Sequence, residues 1–552
     1  MQWGDMSARY RAAATLAALG ILITTTAVTV NSQSASAVTA TTGAGSTQLS
    51  ATRAISVKQP VKVTTASAAT TTCPKAKTSS SSTQLQSLGN RKIDDSVPLY
   101  LDQLSARCGD TITIHTGSAS SITTVVRAYR IGWYNGDGSR LIWSSAPARI
   151  HGTAMATHSQ PSIPSPNWPV TLKVTIDANW TPGLYAIATT VGGRITGVAE
   201  LVVRSSTPAA RAVVIYSGLT NASYSPFGGA SLYRGLDGGS LALSVSLRRP
   251  LVLNGRGAFT KYDIPTAQVL DRVGINVDPV MDTDVNATSS LLTARTLIVL
   301  PGHSEYWTKT MYDGLLAAQS SGTNIVVMGA NEIYWQTRIQ ANKLGEPVSM
   351  FVARSLAKDP LANSTPKLAT VRWRDAPLLN DPSGWLGESY TVTRAKGSLQ
   401  ILSVPTWLAN VPELRKGAIL QGVAAGEVDG PQVTASISIP SKLQVIGLGL
   451  LKGANGKTAS AGMTYYTAPN GSAVFQFGST NWGCQLMASC PDGITSWSTR
   501  QTQWAMTTTV LRSLVQRNWG RAHPSVPNAS RSITAMNHTL SAAAYGTFGT
   551  GG

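Results

Sequence analysis

The chain has 552 residues, too many for one hydrophobic core, so two or three domains with connecting segments are expected. Its 42% hydrophobic and 7% aromatic content excludes a wholly disordered chain. The formal net charge is +19, yet there is no Lys/Arg run to track a phosphate backbone and no nucleic-acid motif, so nucleic acid is not an expected partner. Loose, nonspecific association with an anionic cell surface is the expected consequence of that charge.

Residues 1–37 read as a signal peptide. Arg9 and Arg11 supply the positive end, residues 12–30 the apolar stretch, and Ala35-Ser36-Ala37 a cleavage site. An uncleaved membrane anchor is the competing reading, because the apolar run is near spanning length. Its threonines and the cleavage site favour removal, so a secreted, extracellular or cell-surface protein is expected. Export fits the four cysteines, Cys73, Cys108, Cys484 and Cys490. Cys484 and Cys490 could close a short loop, and Cys73 could tie the linker to Cys108, but spacing leaves the connectivity open. No cysteine lies between 109 and 483, which excludes a catalytic thiol there.

Residues 38–95 form a Ser/Thr/Ala-rich linker without hydrophobic periodicity. From 96 to 206 short alternating runs recur between turn signals: DTITIHT, TTVVRAYRIGWY, VTLKVTI, GLYAIATTV and AELVVR. Such a pattern predicts a β-sandwich domain. After Ser205-Ser206-Thr207-Pro208 the pattern changes. RAVVIYSG, RTLIVLPG and TNIVVMGAN are continuous apolar runs, as expected of parallel strands buried on both faces. IPTAQVLDRVG and TKTMYDGLLAAQSSG have helical spacing between them. Residues 207–519 therefore read as an α/β domain whose C-terminal portion is mixed, closed by a helix over 500–519. Residues 520–552 read as a flexible tail. The fold class is α/β plus all-β, with the sandwich first.

Ligands gather outside the carboxyl ends of parallel strands. Three segments stand there: SGLTNASYSPFGGASLY (217–233), PGHSEYW (301–307) and GANEIYW (329–335). They would converge, placing His303 and Glu305 where such a sheet presents reactive groups. Gly302-His303-Ser304-Glu305 lacks the final glycine of a nucleophile elbow, so Ser304 is a poor nucleophile candidate. A His-Glu-x-x-His zinc helix and a Walker-type phosphate loop are both absent.

Seven segments together resemble the large (beta) subunit of N,N-dimethylformamidase and its relatives. They are YRIGWYNGDGSR (129–140), WTPGLYA (180–186), SYSPFGGASLY (223–233), PGHSEYW (301–307), GANEIYWQTR (329–338), GEVDG (426–430) and VFQFGSTNW (474–482). The resemblance runs from about 98 to 518. It implies a glutamine-amidotransferase-like α/β domain carrying an amidohydrolase site, with a small-molecule amide as substrate. It further implies a mononuclear iron (Fe3+) held by Tyr185, Tyr224 and Glu305. His303 would be the acid/base group beside it, Asn331 a polar partner of substrate or water, and Glu427 a further acidic position. Arg354 falls near a position where relatives carry a basic residue. Phenolate and carboxylate oxygens are hard donors and suit a ferric ion, which would polarise the amide carbonyl and acidify water. His303 and Glu305, at i and i+2 on an extended segment, could share one cavity. Tyr306, Trp307 and Trp335 could wall it.

Two features depart from the family pattern. Relatives read Tyr-Asn and then Trp-Gly-Gly where this chain has Tyr224-Ser225-Pro226-Phe227-Gly228-Gly229; the tyrosine and glycines are retained but the pocket wall differs, so the resemblance does not fix which amide is the substrate. The signal peptide is the second departure. The alternative function is a noncatalytic secreted protein that binds the cell surface or polysaccharide. Neither the oligomeric state nor a small partner subunit is specified.

Overall fold

The computed structural model describes residues 73, 94–153, 162–207, 210–234, 241–252, 257–432, 438–453, 456, 458–490 and 495–534. All of them belong to one compact unit, Ala68–Gly552. The expected signal peptide, nearly all of the linker and residues 535–552 lie outside the described residues.

The alternating runs of the first portion become strands of two sheets. One is three-stranded, in the order Leu99–Leu101, Thr111–Thr116, Val170–Thr175. The other is six-stranded and centres on Arg194–Arg204, Gly183–Val191 and Ile122–Ile131. Their shared core holds Leu99, Ile112, Val126, Tyr185, Ile187 and Leu201. Along Gly183–Val191 the period of two sends Tyr185 and Ile187 into that core. Ala186 and Ala188 point the opposite way, into a second core shared with the α/β portion.

The α/β portion is built on a nine-stranded sheet. Its elements in chain order are β1 (Ala212–Tyr216), α1 (Gly218–Tyr224), α2 (Ile264–Val273), β2 (Val277–Met281), β3 (Leu297–Leu300), α3 (Lys309–Ser320), β4 (Asn324–Val327), β5 (Ser389–Ile401), β6 (Ile419–Gly430), β7 (Gln444–Lys452), β8 (Thr458–Thr467), β9 (Ala473–Gln476) and α4 (Trp497–Leu514). The spatial order is β2-β1-β3-β4-β9-β8-β7-β5-β6. From β2 to β9 the pairing is parallel, and from β9 onward antiparallel. The apolar runs are continuous because both faces are covered. Val213, Ile215, Ile298 and Leu300 meet α3 on one side, while Val214, Tyr216, Leu297 and Val299 share a core with α2 and α4 on the other.

Helix ends follow local chemistry. The Thr308 side chain accepts a hydrogen bond from Met311 N at the start of α3, and Gly274 at φ 74° ends α2. The closing helix stops at Leu514, and Trp519–Ala522 forms a separate short turn after Asn518, whose φ is 59°. The expected flexible tail is a correction as far as residue 534. Ala529 and Ile533 are buried, and the Asn528 side chain bonds both backbone polar groups of Val445. The disulfides are Cys73–Cys108 and Cys484–Cys490. Among the described residues, no helix is long and apolar enough to cross a membrane.

Candidate active site

The loops leaving β3 and β4 carry PGHSE and GANE, and they are in contact. A Cβ on Gly329 would lie 2.0 Å from the Gly302 carbonyl oxygen, so only glycine permits this approach. Ile333 N donates to Ser304 O (2.9 Å), while Tyr334 N and Trp335 N donate to Glu305 O (2.9 and 3.0 Å). Tyr306–Trp307 and Trp335–Gln336 then pair as a short parallel ladder. Asn331 and Ile333 both have φ 56°, in the left-handed region. Asparagine tolerates that region and a β-branched residue does not, so Ile333 is strained backbone held by the ladder.

Tyr224 is the last residue of α1, the helix that follows β1. Thr220 on the same helix uses its Oγ1 to accept from Glu305 N (3.0 Å). The Tyr224 hydroxyl donates to Glu305 Oε2 (2.7 Å), and the Tyr233 hydroxyl donates to Glu305 Oε1. Tyr306 OH donates to Tyr233 OH (2.7 Å), and the rings of Tyr224 and Tyr233 stack 4.5 Å apart. His303 Nδ1 lies 3.2 Å from the Ala330 carbonyl, which can only accept, so this nitrogen carries a proton. Its Nε2 faces Tyr224 OH (3.3 Å), Glu305 Oε2 (3.5 Å) and Glu427 Oε2 (3.8 Å). The Tyr262 ring packs edge-on against the imidazole, 5.2 Å between centroids.

Glu427 reaches the cluster from β6, the far edge of the sheet, because the end of that strand bends over the loop after β9. Glu427 N donates to Thr480 Oγ1 (3.0 Å), Thr480 N to Glu427 O (3.0 Å) and Asp429 N to Gly478 O (3.1 Å). A Cβ on Gly426 would meet Asn481 Oδ1 and Thr480 Oγ1 at 2.5 Å, so glycine is again required for the approach. Glu427 Oε2 accepts from Asn331 Nδ2 (2.7 Å), and Asp429 Oδ1 accepts from Asn331 N (2.7 Å).

Burial, and then the charge of Glu305, pushes the phenols of Tyr224, Tyr233 and Tyr306 well above their ordinary range. Burial pulls His303 down, but Glu427 and Glu305 outweigh it, so the imidazole is raised overall. Burial raises Glu427, partly offset by His303. A second layer of buried acids lies around this one. Asn221 Nδ2 bridges Glu200 Oε2 and Asp263 Oδ2, both at 2.6 Å. Asp263 and Asp429 are each pushed up to about 7, chiefly by burial.

The structure brings together Tyr224, His303, Glu305, Asn331 and Glu427. It does not bring Tyr185, and its expected place as a metal ligand is corrected. Tyr185 pairs with Leu201 on the inner face of the first portion, stacks on Trp180, and donates to Thr181 O (2.7 Å). Its neighbours Ala186 and Glu200 face the α/β portion instead. Ser304 is fully buried and its Oγ accepts from Trp307 Nε1 (3.0 Å), with His303 turned elsewhere. Arg354 spends its guanidinium on the Leu232 and Ala242 carbonyls. Trp307 is fully buried core, whereas Tyr306 reaches the cluster through its hydroxyl and Trp335 is half-buried.

Sequence reasoning missed Tyr233, Tyr262, Asp263 and Asp429. Tyr233 closes the quoted segment SYSPFGGASLY, and Asp429 stands two residues beyond Glu427 in GEVDG, so i and i+2 on one strand could have found it. Among the described residues, no group of three or more His, Cys, Asp or Glu is arranged to hold a metal ion. The oxygen donors that converge are instead phenols with one carboxylate.

A mixed α/β sheet that gathers a histidine, carboxylates and phenols outside its parallel strand ends has the layout of an enzyme. The chain belongs to the N,N-dimethylformamidase beta subunit-like family, whose C-terminal family model matches residues 125–494. No match was found among curated proteins. Among solved structures, Pseudomonas fluorescens alkylpurine DNA glycosylase AlkC, bound to DNA containing an abasic site analogue, overlaps 20% of this chain and 31% of its own. The TM-score is 0.14 and the identity 15%, an overlap too small to bear on fold or function.

Proposed function

We propose that the protein is an exported, iron-dependent amide hydrolase that cleaves the C–N bond of a small carboxamide. Family membership supports amidohydrolase-like chemistry. The observation that carries the reading is the His303–Glu427 pair, 3.8 Å apart beside Glu305 and Tyr224. The two disulfides support an oxidising compartment.

The donor set fits a hard trivalent cation. Buried acids outnumber buried bases around His303, and the phenols of Tyr224 and Tyr233 both turn to the Glu305 carboxylate. Raised as they are, these phenols ionise only with a cation at the oxygen. Tyr224, Tyr233 and Glu305 are therefore the residues that would hold iron, with Tyr233 in place of Tyr185. Iron bound there would supply Lewis-acid polarisation of the amide carbonyl and acidify a water.

The chain's own groups handle the protons. Glu427 takes a proton from the attacking water as its oxygen bonds to the carbonyl carbon. His303, raised toward its imidazolium form, delivers a proton to the amide nitrogen as the C–N bond breaks. The amine leaves, the carboxylic acid remains, and the proton on Glu427 returns to His303. Asn331 holds Glu427 in place.

The test is hydrolysis of a panel of small amides by the purified protein. His303→Gln and Glu427→Gln should each lower kcat by about a hundredfold or more, with folding retained. Undiminished turnover in both variants would sink the assignment. N-terminal sequencing of the exported protein should begin after Ala37.

A further inference from the structure

Two carboxylates on one face of β6 grip Asn331 from two directions. Asp429 Oδ1 holds its backbone N–H and Glu427 Oε2 its side-chain amide, both at 2.7 Å. Asp429 is itself fixed, since its Oδ2 accepts from Gln476 Nε2 and its N–H donates to Gly478 O. A carboxylate only accepts, so the bond to Glu427 sets which way the amide faces. Asn331 Oδ1 is left over. It is buried and has no hydrogen-bond partner among the described residues.

The hydroxyls of Tyr224 and Tyr233 are spent on Glu305, and that of Thr393 faces Glu427 Oε1. Asn331 is bonded to the same Glu427 oxygen that lies 3.8 Å from His303 Nε2. An amide nitrogen within reach of His303 is thus also close to Asn331.

Resting on the hydrolase reading above, we infer that Asn331 Oδ1 accepts an N–H from the substrate, and that Asp429 is the positioning residue that presents it. The substrate class is then a primary or secondary carboxamide. An N,N-dialkyl amide would leave this acceptor buried and unpaired, an asymmetry that polar sites use to reject analogues.

The experiment compares formamide, N-methylformamide and N,N-dimethylformamide with the full chain, by calorimetric binding and by kcat/KM. N-methylformamide should be favoured over N,N-dimethylformamide by about tenfold or more in both measures. Asn331→Gly keeps the left-handed turn and removes the amide, and the ratio should fall to within about twofold. Asp429→Asn retains an acceptor for Asn331 N and should keep the ratio, whereas Asp429→Ala should lose it. Hydrolysis without N–H preference, or a ratio unchanged in Asn331→Gly, overturns this inference and leaves the hydrolase reading standing. N–H-selective binding without hydrolysis does the reverse, and no amide binding at all overturns both.

Discussion

Glu305 receives two phenols on its two oxygens, while its backbone N–H is held by Thr220. That arrangement separates the roles of three tyrosines that look alike in a motif. Tyr185→Phe removes one hydrogen bond to Thr181 and should cost about 1 kcal/mol in urea denaturation, leaving metal content and turnover unchanged. Tyr233→Phe removes the bond to Glu305 and the acceptor for Tyr306, and should lower both metal content and turnover. If Tyr185→Phe depletes metal and Tyr233→Phe does not, Tyr185 and not Tyr233 is the ligand. Tyr224, His303, Glu305, Asn331 and Glu427 were legible because each sits in a motif segment. Tyr185 was not, because a motif does not say which face of a strand turns toward the site.

The elements matter through two loops and one bent strand. The PGHSE and GANE loops meet backbone to backbone at Gly302 and Gly329. Gly329→Ala forces a Cβ into the Gly302 carbonyl, so the loops must part. The expected cost is about 2–3 kcal/mol, with turnover lost before global unfolding, measured by denaturation and activity on one preparation. A stable, fully active Gly329→Ala protein would show that the loop contact is not what sets His303 against Tyr224. The continuous apolar runs revealed β1, β3 and β4, since strands covered on both faces lose their alternation. What stayed hidden, for a tertiary reason, was how Glu427 and Asp429 reach the site. β6 lies five strands from β4 in the sheet order, and only its bend over Gly478–Thr480 returns it to the site. The packing of residues 520–534 was missed because Ala529 and Ile533 are isolated apolar residues in a polar stretch.

At the scale of the whole molecule, a chain of net charge +19 keeps a nest of buried acids under its site. Burial pushes Asp263 up to about 7, against about 4 for an ordinary carboxylate. Between those values the folded state binds the extra proton, so stability should fall as pH rises from about 4 to about 7 and then level off. Asp429 is pushed up to the same value and adds a like contribution, so Asp263→Asn should make that slope shallower in urea midpoints measured across the range, and an unchanged slope would place the effect elsewhere. The same excess of buried negative charge is what a bound cation would offset. Iron quantification with a visible absorption spectrum, on the exported protein and on Glu305→Ala, tests this most directly. A mononuclear iron with a phenolate-to-metal band is expected in the parent, and loss of both in the variant. A colourless, iron-free parent that still hydrolyses amides, or a Glu305→Ala protein that binds iron as the parent does, would contradict it.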